Sequence, residues 1–260
     1  MTLIKSISGI RGTIGGKVGD NLTPVDAVKF ASAYGTFLKN SKNASLGQND
    51  KLKVVIGRDA RISGPMIHNL VMNTLLGLGI DVIDLGLSTT PTVEVAVPLE
   101  IADGGIILTA SHNPKQWNAL KLLNEKGEFL SGAEGEKILE IAEAEAFDFV
   151  DVDSLGEVTV NDSYMDIHID EVLDLPLVDA DLVKTKKFKV VVDAVNSSGG
   201  IIIPNLLEQM GVEVVKLYCE PNGHFPHNPE PLKEHLGDIC QLVIDEKADF
   251  GIVVDPDVDR

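Results

Sequence analysis

Cysteine is nearly absent: Cys219 and Cys240 are the only two, and they have no CxxC spacing. Two such residues cannot build a disulfide framework, so both read as reduced packing residues. Basic residues are also scarce, with 22 Lys and Arg against 40 Asp and Glu and a net charge of −18. That balance disfavours nucleic acid and anionic membranes as partners, and makes any phosphate site a local exception. No apolar run approaches the ~18 residues of a membrane span, and the opening MTLIKSISGIRGTIGG lacks the apolar core of a signal peptide. The expected location is the cytoplasm.

With 44% hydrophobic residues over 260 positions, the chain can bury one large core or two modest ones. Two unequal domains are expected, and the chain carries one design twice. KLKVVIGRDARISGPMIHNLVMNTLLGLGIDVIDLG reads as a strand at 53–56, a turn with Ser63 near a helix start, and an apolar-periodic helix to about Leu78. Gly79 then suits the position just past the helix, and DVIDL resumes a strand. FKVVVDAVNSSGGIIIPNLLEQMGVEVVKLY repeats the unit with Gly211 in place of Gly79. Each copy leads to a helix ending in Ala-Asp and a short strand, IADGGIILTAS and then KADFGIVVDPD.

The fold class expected is therefore α/β, with two tandem domains of related topology, each a mostly parallel mixed sheet packed between helices. The Asp-rich DFVDVDSLG lies between two helical stretches and marks a boundary near residue 152, giving domains 1–152 and 153–260. An offset of 146 places Ser111 on Asp257. Both fall just past the carboxyl end of a strand, where open α/β sheets bind ligands.

Ser111 sits in TASHNP, where Ala110 and His112 do not supply the GxSxG elbow of an acyl-transfer serine. In an extended strand end the neighbouring His112 points to the opposite face, so it is not expected to serve as the serine's base and is assigned a ligand contact instead. DPDVDR places carboxylates at 255, 257 and 259, on one side of an extended chain. A modest curl converges them on one cation, and three hard oxygen donors favour Mg²⁺. Taken alone, the stretch also fits a solvated acidic turn. Lys121, in the strand-like WNALKLL ten residues after Ser111, is either a pocket residue or a surface charge.

TASHNP with WNALKL, DPDVDR and the N-terminal SGIRG resembles the α-D-phosphohexomutases, a family that includes phosphoglucomutase/phosphomannomutase and phosphoglucosamine mutase. The resemblance runs across the whole chain. It implies a phosphoserine at Ser111 and Mg²⁺ held by that residue with Asp255, Asp257 and Asp259. Lys121 would be the general acid/base, with Arg11 and His112 at the phosphoryl group and Arg260 and Asn113 contacting substrate or phosphate. A hexose or hexosamine phosphate would be interconverted between its 1- and 6-phosphates through a bisphosphate. Family members are about four domains long, so an N-terminal, two-domain piece inactive alone is expected. A non-catalytic phosphosugar- or metal-binding relative and a metal-dependent phosphatase are the competing readings. Neither the particular sugar nor the oligomeric state is legible.

Overall fold

Within each of the two repeated units, strands and helices alternate as the periodicity expects. The computed structural model describes residues 1–6, 9–42 and 51–260; Ser8 of the SGIRG stretch lies outside them. The first part contains β1 (Ile4–Ser6), β2 (Gly9–Thr13), α1 (Pro24–Lys42), β3 (Lys53–Arg58), α2 (Gly64–Gly77), β4 (Asp81–Leu87), α3 (Thr90–Leu99), β5 (Gly104–Leu108), β6 (Trp117–Leu123) and α4 (Gly132–Ala144). After it come β7 (Val158–Val160), α5 (Tyr164–Leu173), α6 (Ala180–Lys186), β8 (Lys189–Asp193), α7 (Gly199–Gln209), β9 (Glu213–Leu217), α8 (Gly237–Asp245) and β10 (Phe250–Val253).

The first sheet has the order β1-β2-β6-β5-β3-β4-β7. Strands β5, β3, β4 and β7 run parallel, and β6, β2 and β1 extend one side antiparallel. Its central strands are apolar on both faces, as helix-covered strands must be. Val54, Ile56, Ile106 and Leu108 pack with Phe30, Tyr34, Ile67, Leu75 and Ile138 of α1, α2 and α4. Val55 and Ile107 point the other way, into Val93, Ala96 and Val97 of α3 and Tyr164 of α5. Gly104 explains one glycine of GGIIL, since a Cβ there would lie 2.1 Å from the Tyr34 hydroxyl. That hydroxyl must stay, because it donates to the buried carbonyl of Leu123 at 2.7 Å.

The second sheet is wholly parallel, β10-β8-β9. Val190 and Val192 pack with Leu207 and Met210 at the end of α7. On the opposite face, Gly251 lets Ile239 and Val243 of α8 approach the sheet closely. The central strand is followed by one neighbour and then the other, in the same order as β5-β3-β4 of the first sheet, so the internal repeat extends to topology. The repeated Ala-Asp lies beyond the helix ends and closes each sheet identically. Asp103 accepts from the Lys53 amide at 2.9 Å and Asp249 from the Lys189 amide at 2.8 Å. Each amide of those aspartates returns a bond to the same lysine's carbonyl at 2.8 Å. Ile101 and Lys247 turn the chain into these clasps with φ of 52° and 53°.

Of the two cysteines, Cys219 packs as expected and Cys240 does not. Cys219 is half-buried against Val190 and Val192, and burial pushes its thiol up to about 11. Cys240 is exposed on α8 and packs no core, because it sits one residue past the buried Ile239 on an amphipathic helix.

At the end of β8, His227 carries a consequence for stability. Its Nε2 faces Asp193 Oδ2 at 2.9 Å and its Nδ1 faces the Asn228 carbonyl at 2.8 Å. Both partners are acceptors, so only the imidazolium satisfies both. The hydrogen bond to Asp193 accordingly raises the His227 pKa above its ordinary value, against burial, with the Asp193 and Asp238 charges adding to the rise. A base whose pKa is raised by folding contributes stability below its unfolded pKa and loses it as pH climbs through the folded one. Wild type should therefore lose several degrees of melting temperature relative to His227→Gln between pH 6 and pH 9, on the order of 2–4 °C per kcal/mol. Parallel melting curves for the two proteins across that range would remove this pair from the account.

Candidate active site

The carboxyl ends of β5 and β10, related by the repeat, face one another, and their following loops meet. The β5 loop does not continue as strand. Ser111 has φ of 47°, in the left-handed region that non-glycine residues rarely enter. This turn corrects the expectation for His112: its Nδ1 lies 3.3 Å from Ser111 Oγ. The strand alternation that would have separated the two side chains ends before Ser111. Burial first, and the Arg260 charge second, lower the His112 pKa.

DPDVDR also forms a turn and not an extended run. Val258 has φ of 62°, and the Asp259 amide donates to Asp255 Oδ1 at 3.1 Å. The turn achieves the convergence expected of a curl: Asp255, Asp257 and Asp259 each offer an oxygen within 4.8 Å of the others. Asp255 and Asp257 are fully buried. The serine hydroxyl enters this group, donating to Asp255 Oδ2 at 2.6 Å and lying 3.0 Å from Asp259 Oδ1. A hydroxyl has one proton, so it can satisfy only one of these carboxylates at a time.

Lys121 comes from β6, antiparallel to β5 and directly opposite Ile107. It is not a surface charge: its side chain is 14% exposed, with Nζ 2.7 Å from Asp257 Oδ2 and 2.8 Å from Asp259 Oδ2. Burial works against its charge, yet the Asp257 charge and the bonds to both aspartates leave its pKa raised. For Asp259 burial is likewise overcome by Lys121, which holds the carboxyl below its ordinary range. Asp255 has no such cation, and burial followed by the Asp257 charge pushes it up to about 8.

The cluster is short of positive charge by other measures too. Asp257 Oδ1 is buried without a hydrogen-bond partner among the described residues, a state that costs on the order of 1–3 kcal/mol. An all-oxygen donor set with an unsatisfied buried oxygen fits a hard divalent cation such as Mg²⁺.

Arg11 of β2, His112, Asn113, Lys121, Asp259 and Arg260 line a cavity of about 260 Å³ above Ser111. Arg260 also stands 3.4 Å from Glu230. The cavity thus gathers cationic side chains in a strongly acidic protein, the local exception a phosphate site requires.

Thr90 is a contributor the sequence reading missed. Its hydroxyl donates to Asp257 Oδ2 at 2.5 Å and its amide to the Asp257 carbonyl at 2.8 Å. The sign was LSTTPT at the end of β4: Thr89 caps α3 and Pro91 opens it, so a helix start faces the same edge. The buried charges of GRDAR, Asp59 and Arg61, were also missed.

Comparison with known proteins assigns each half of the chain to a domain family. Residues 3–149 match the family model for phosphoglucomutase/phosphomannomutase alpha/beta/alpha domain I, and residues 166–260 match that for domain II. A phosphoglucomutase/phosphomannomutase of Thermococcus kodakarensis is 37% identical over 96% of the chain and 53% of its own length. A protein of Methanopyrus kandleri named "Probable phosphoglucosamine mutase" is 34% identical over 97% of the chain and 52% of its own length. The crystal structure of a phosphoglucomutase/phosphomannomutase family protein from Burkholderia thailandensis superposes with a TM-score of 0.79 at 26% identity, covering 99% of this chain and 54% of that one. The chain spans about half the length of the curated relatives it matches.

Proposed function

The chain belongs to the phosphoglucomutase/phosphomannomutase family of α-D-phosphohexomutases, and from that premise we propose that Ser111 carries a phosphoryl group to and from the hydroxyls of a hexose or hexosamine phosphate. The observation that carries this reading is the Ser111 hydroxyl, 2.6 Å from Asp255 and 3.0 Å from Asp259, under a cavity lined by Arg11, Lys121 and Arg260. A phosphoryl group on that oxygen would have carboxylates on one side and cationic donors on the other. Mg²⁺ held by Asp255, Asp257, Asp259 and an oxygen at Ser111 would neutralise the first side and polarise the transferring group.

The remaining work falls to side chains of this chain. Arg11 and Arg260 offer paired N–H donors to phosphoryl oxygens, and His112 and Asn113 close the rim. When a sugar bisphosphate returns phosphate to the enzyme, a bond forms from Ser111 Oγ to phosphorus as the sugar oxygen leaves. The serine proton passes to the carboxylates beside it, and Lys121, kept protonated by Asp257 and Asp259, supplies the proton to the leaving oxygen. The reverse sequence phosphorylates the other hydroxyl, and the two transfers together interconvert 1- and 6-phosphates.

Full isomerisation also needs a grip on the far phosphate, and the cavity at Ser111 supplies only the transfer end. The 260 residues alone are therefore proposed to transfer phosphate without efficient mutase turnover. A division near residue 152 is retained as a proposal, with β7 beyond it completing the first sheet. The cytoplasm, where phosphorylated sugars are held, is the proposed location; no helix of the described residues is long and apolar enough to cross a membrane.

Intact mass after incubation with Mg²⁺ and glucose 1,6-bisphosphate tests the carrier role. Wild type should gain about one phosphate per chain, as expected of a single nucleophile, and Ser111→Ala none. Equal phosphate on both proteins would sink the assignment, and steady release of inorganic phosphate without transfer to sugar would favour a phosphatase.

A further inference from the structure

Ser111 holds an unfavourable backbone conformation, and its surroundings show what keeps it there. Beneath the loop lies Arg61, whose side chain and that of Asp59 are both fully buried. All five N–H donors of the guanidinium are used. Nε bonds Asp59 Oδ2 at 3.0 Å; Nη2 donates to the carbonyls of Ser111 at 2.5 Å and Asn113 at 2.7 Å; Nη1 donates to those of Pro114 at 2.9 Å and Trp117 at 3.0 Å. The ring of Phe225, from the second half, covers the guanidinium at 5.2 Å.

Asp59 reaches the other side of the serine through one intermediary. Its Oδ2 accepts from the Thr109 hydroxyl at 2.7 Å, and Thr109 Oγ1 accepts from the Ser111 amide at 2.9 Å. The carbonyl and the amide of Ser111 are therefore both tied to one ion pair. None of these three residues touches the aspartates of the DPDVDR turn by a hydrogen bond described here. A buried arginine with one donor on a carboxylate and four on backbone carbonyls is expensive to desolvate, and a fold that needed only a turn could use glycine instead.

We propose that Arg61, Asp59 and Thr109 form a positioning clamp that fixes the Ser111 oxygen at transfer distance from its carboxylate and cationic partners. The clamp rests on the reading of Ser111 as a phosphoryl carrier, and acts through that residue, with Thr109 at the floor of the same cavity. Displacement of a reacting atom by about 1 Å can cost roughly a hundredfold in rate, which sets the effect to look for.

Arg61→Lys and Thr109→Val, with Thr109→Ser as the conservative control, are compared in single-turnover phosphate transfer from glucose 1,6-bisphosphate. Mg²⁺ affinity by calorimetry and thermal melts are read alongside. Folded Thr109→Val should transfer roughly a hundredfold more slowly while Mg²⁺ affinity, still carried by the three aspartates, falls far less, and Thr109→Ser should return the rate. Arg61→Lys should behave as Thr109→Val wherever it folds. Wild-type transfer in folded Thr109→Val, or equal losses of transfer and Mg²⁺ affinity, would overturn the clamp. Wild type that gains no phosphate at Ser111 would overturn the carrier reading itself, and the clamp with it.

Discussion

Asp257→Asn is expected to weaken Mg²⁺ binding by well over tenfold, the largest loss of any single change in the aspartate turn. Loss of a residue that merely orients a metal ligand costs about 10–100-fold in affinity, and Asp257 is proposed as a ligand. The residue is fully buried and held at one oxygen: Thr90 and Lys121 bond Oδ2 at 2.5 and 2.7 Å, leaving Oδ1 without a hydrogen-bond partner among the described residues. A carboxylate immobilised in this way gains a partner for Oδ1 when a cation binds and needs no rearrangement to meet it. Asparagine would keep one oxygen for Thr90 and Lys121 but turn an NH₂ group toward the cation. It also removes a charge that contributes to the raised pKa of Asp255, so the variant should be no less stable than wild type without metal. Calorimetric titration with MgCl₂, paired with melts in EDTA, checks both halves. Unchanged affinity would remove Asp257 from the ligand set, and a variant that fails to fold would show that its role is structural.

The two α/β units were legible because strand periodicity, the glycines after the helices and the Ala-Asp closures occur twice in the same order. The convergence of Ser111 and the aspartates was legible for a related reason: β5 and β10 are each followed at once by polar residues, TAS and DPD, whereas Lys121 stood open between a pocket residue and a surface charge. The geometry within the loops was not. TAS reads as the tail of a strand, and the bonds that tie the carbonyl and amide of the left-handed Ser111 to Arg61 and Thr109 are invisible in it. Those bonds join residues 50 and 2 positions apart, and the longer one has no periodic signature. Thr90 is harder still, reaching across 167 positions to Asp257. Of the antiparallel additions, β6 was legible as a strand-like segment, whereas β2 and β1 passed unread because short strands such as IKS and GIRGT carry little alternation. Their effect on the site is direct, since β6 brings in Lys121 and β2 brings in Arg11.

Apart from loss of Ser111 itself, replacing Lys121 is the change expected to act most strongly on transfer. Its ammonium bridges Asp257 and Asp259 and is kept protonated by them, which is the state an acid needs when the sugar oxygen leaves phosphorus. Removing a positioned general acid typically costs 10²–10⁴-fold, so Lys121→Met should slow phosphate transfer from glucose 1,6-bisphosphate to Ser111 by about that factor. Charge and proton transfer can be told apart with Lys121→Arg, whose guanidinium remains cationic but does not give up a proton near neutral pH. If Lys121 acts as an acid, arginine should restore little of the rate. Mg²⁺ affinity should move in the opposite sense for Lys121→Met, because a positive charge 2.7 Å from Asp257 competes with any cation for the same carboxylates. Tighter Mg²⁺ binding with slow transfer is thus the expected signature. Arginine restoring most of the rate would reduce Lys121 to a counter-charge, and weaker Mg²⁺ binding in Lys121→Met would show that the lysine organises the aspartates without competing for them.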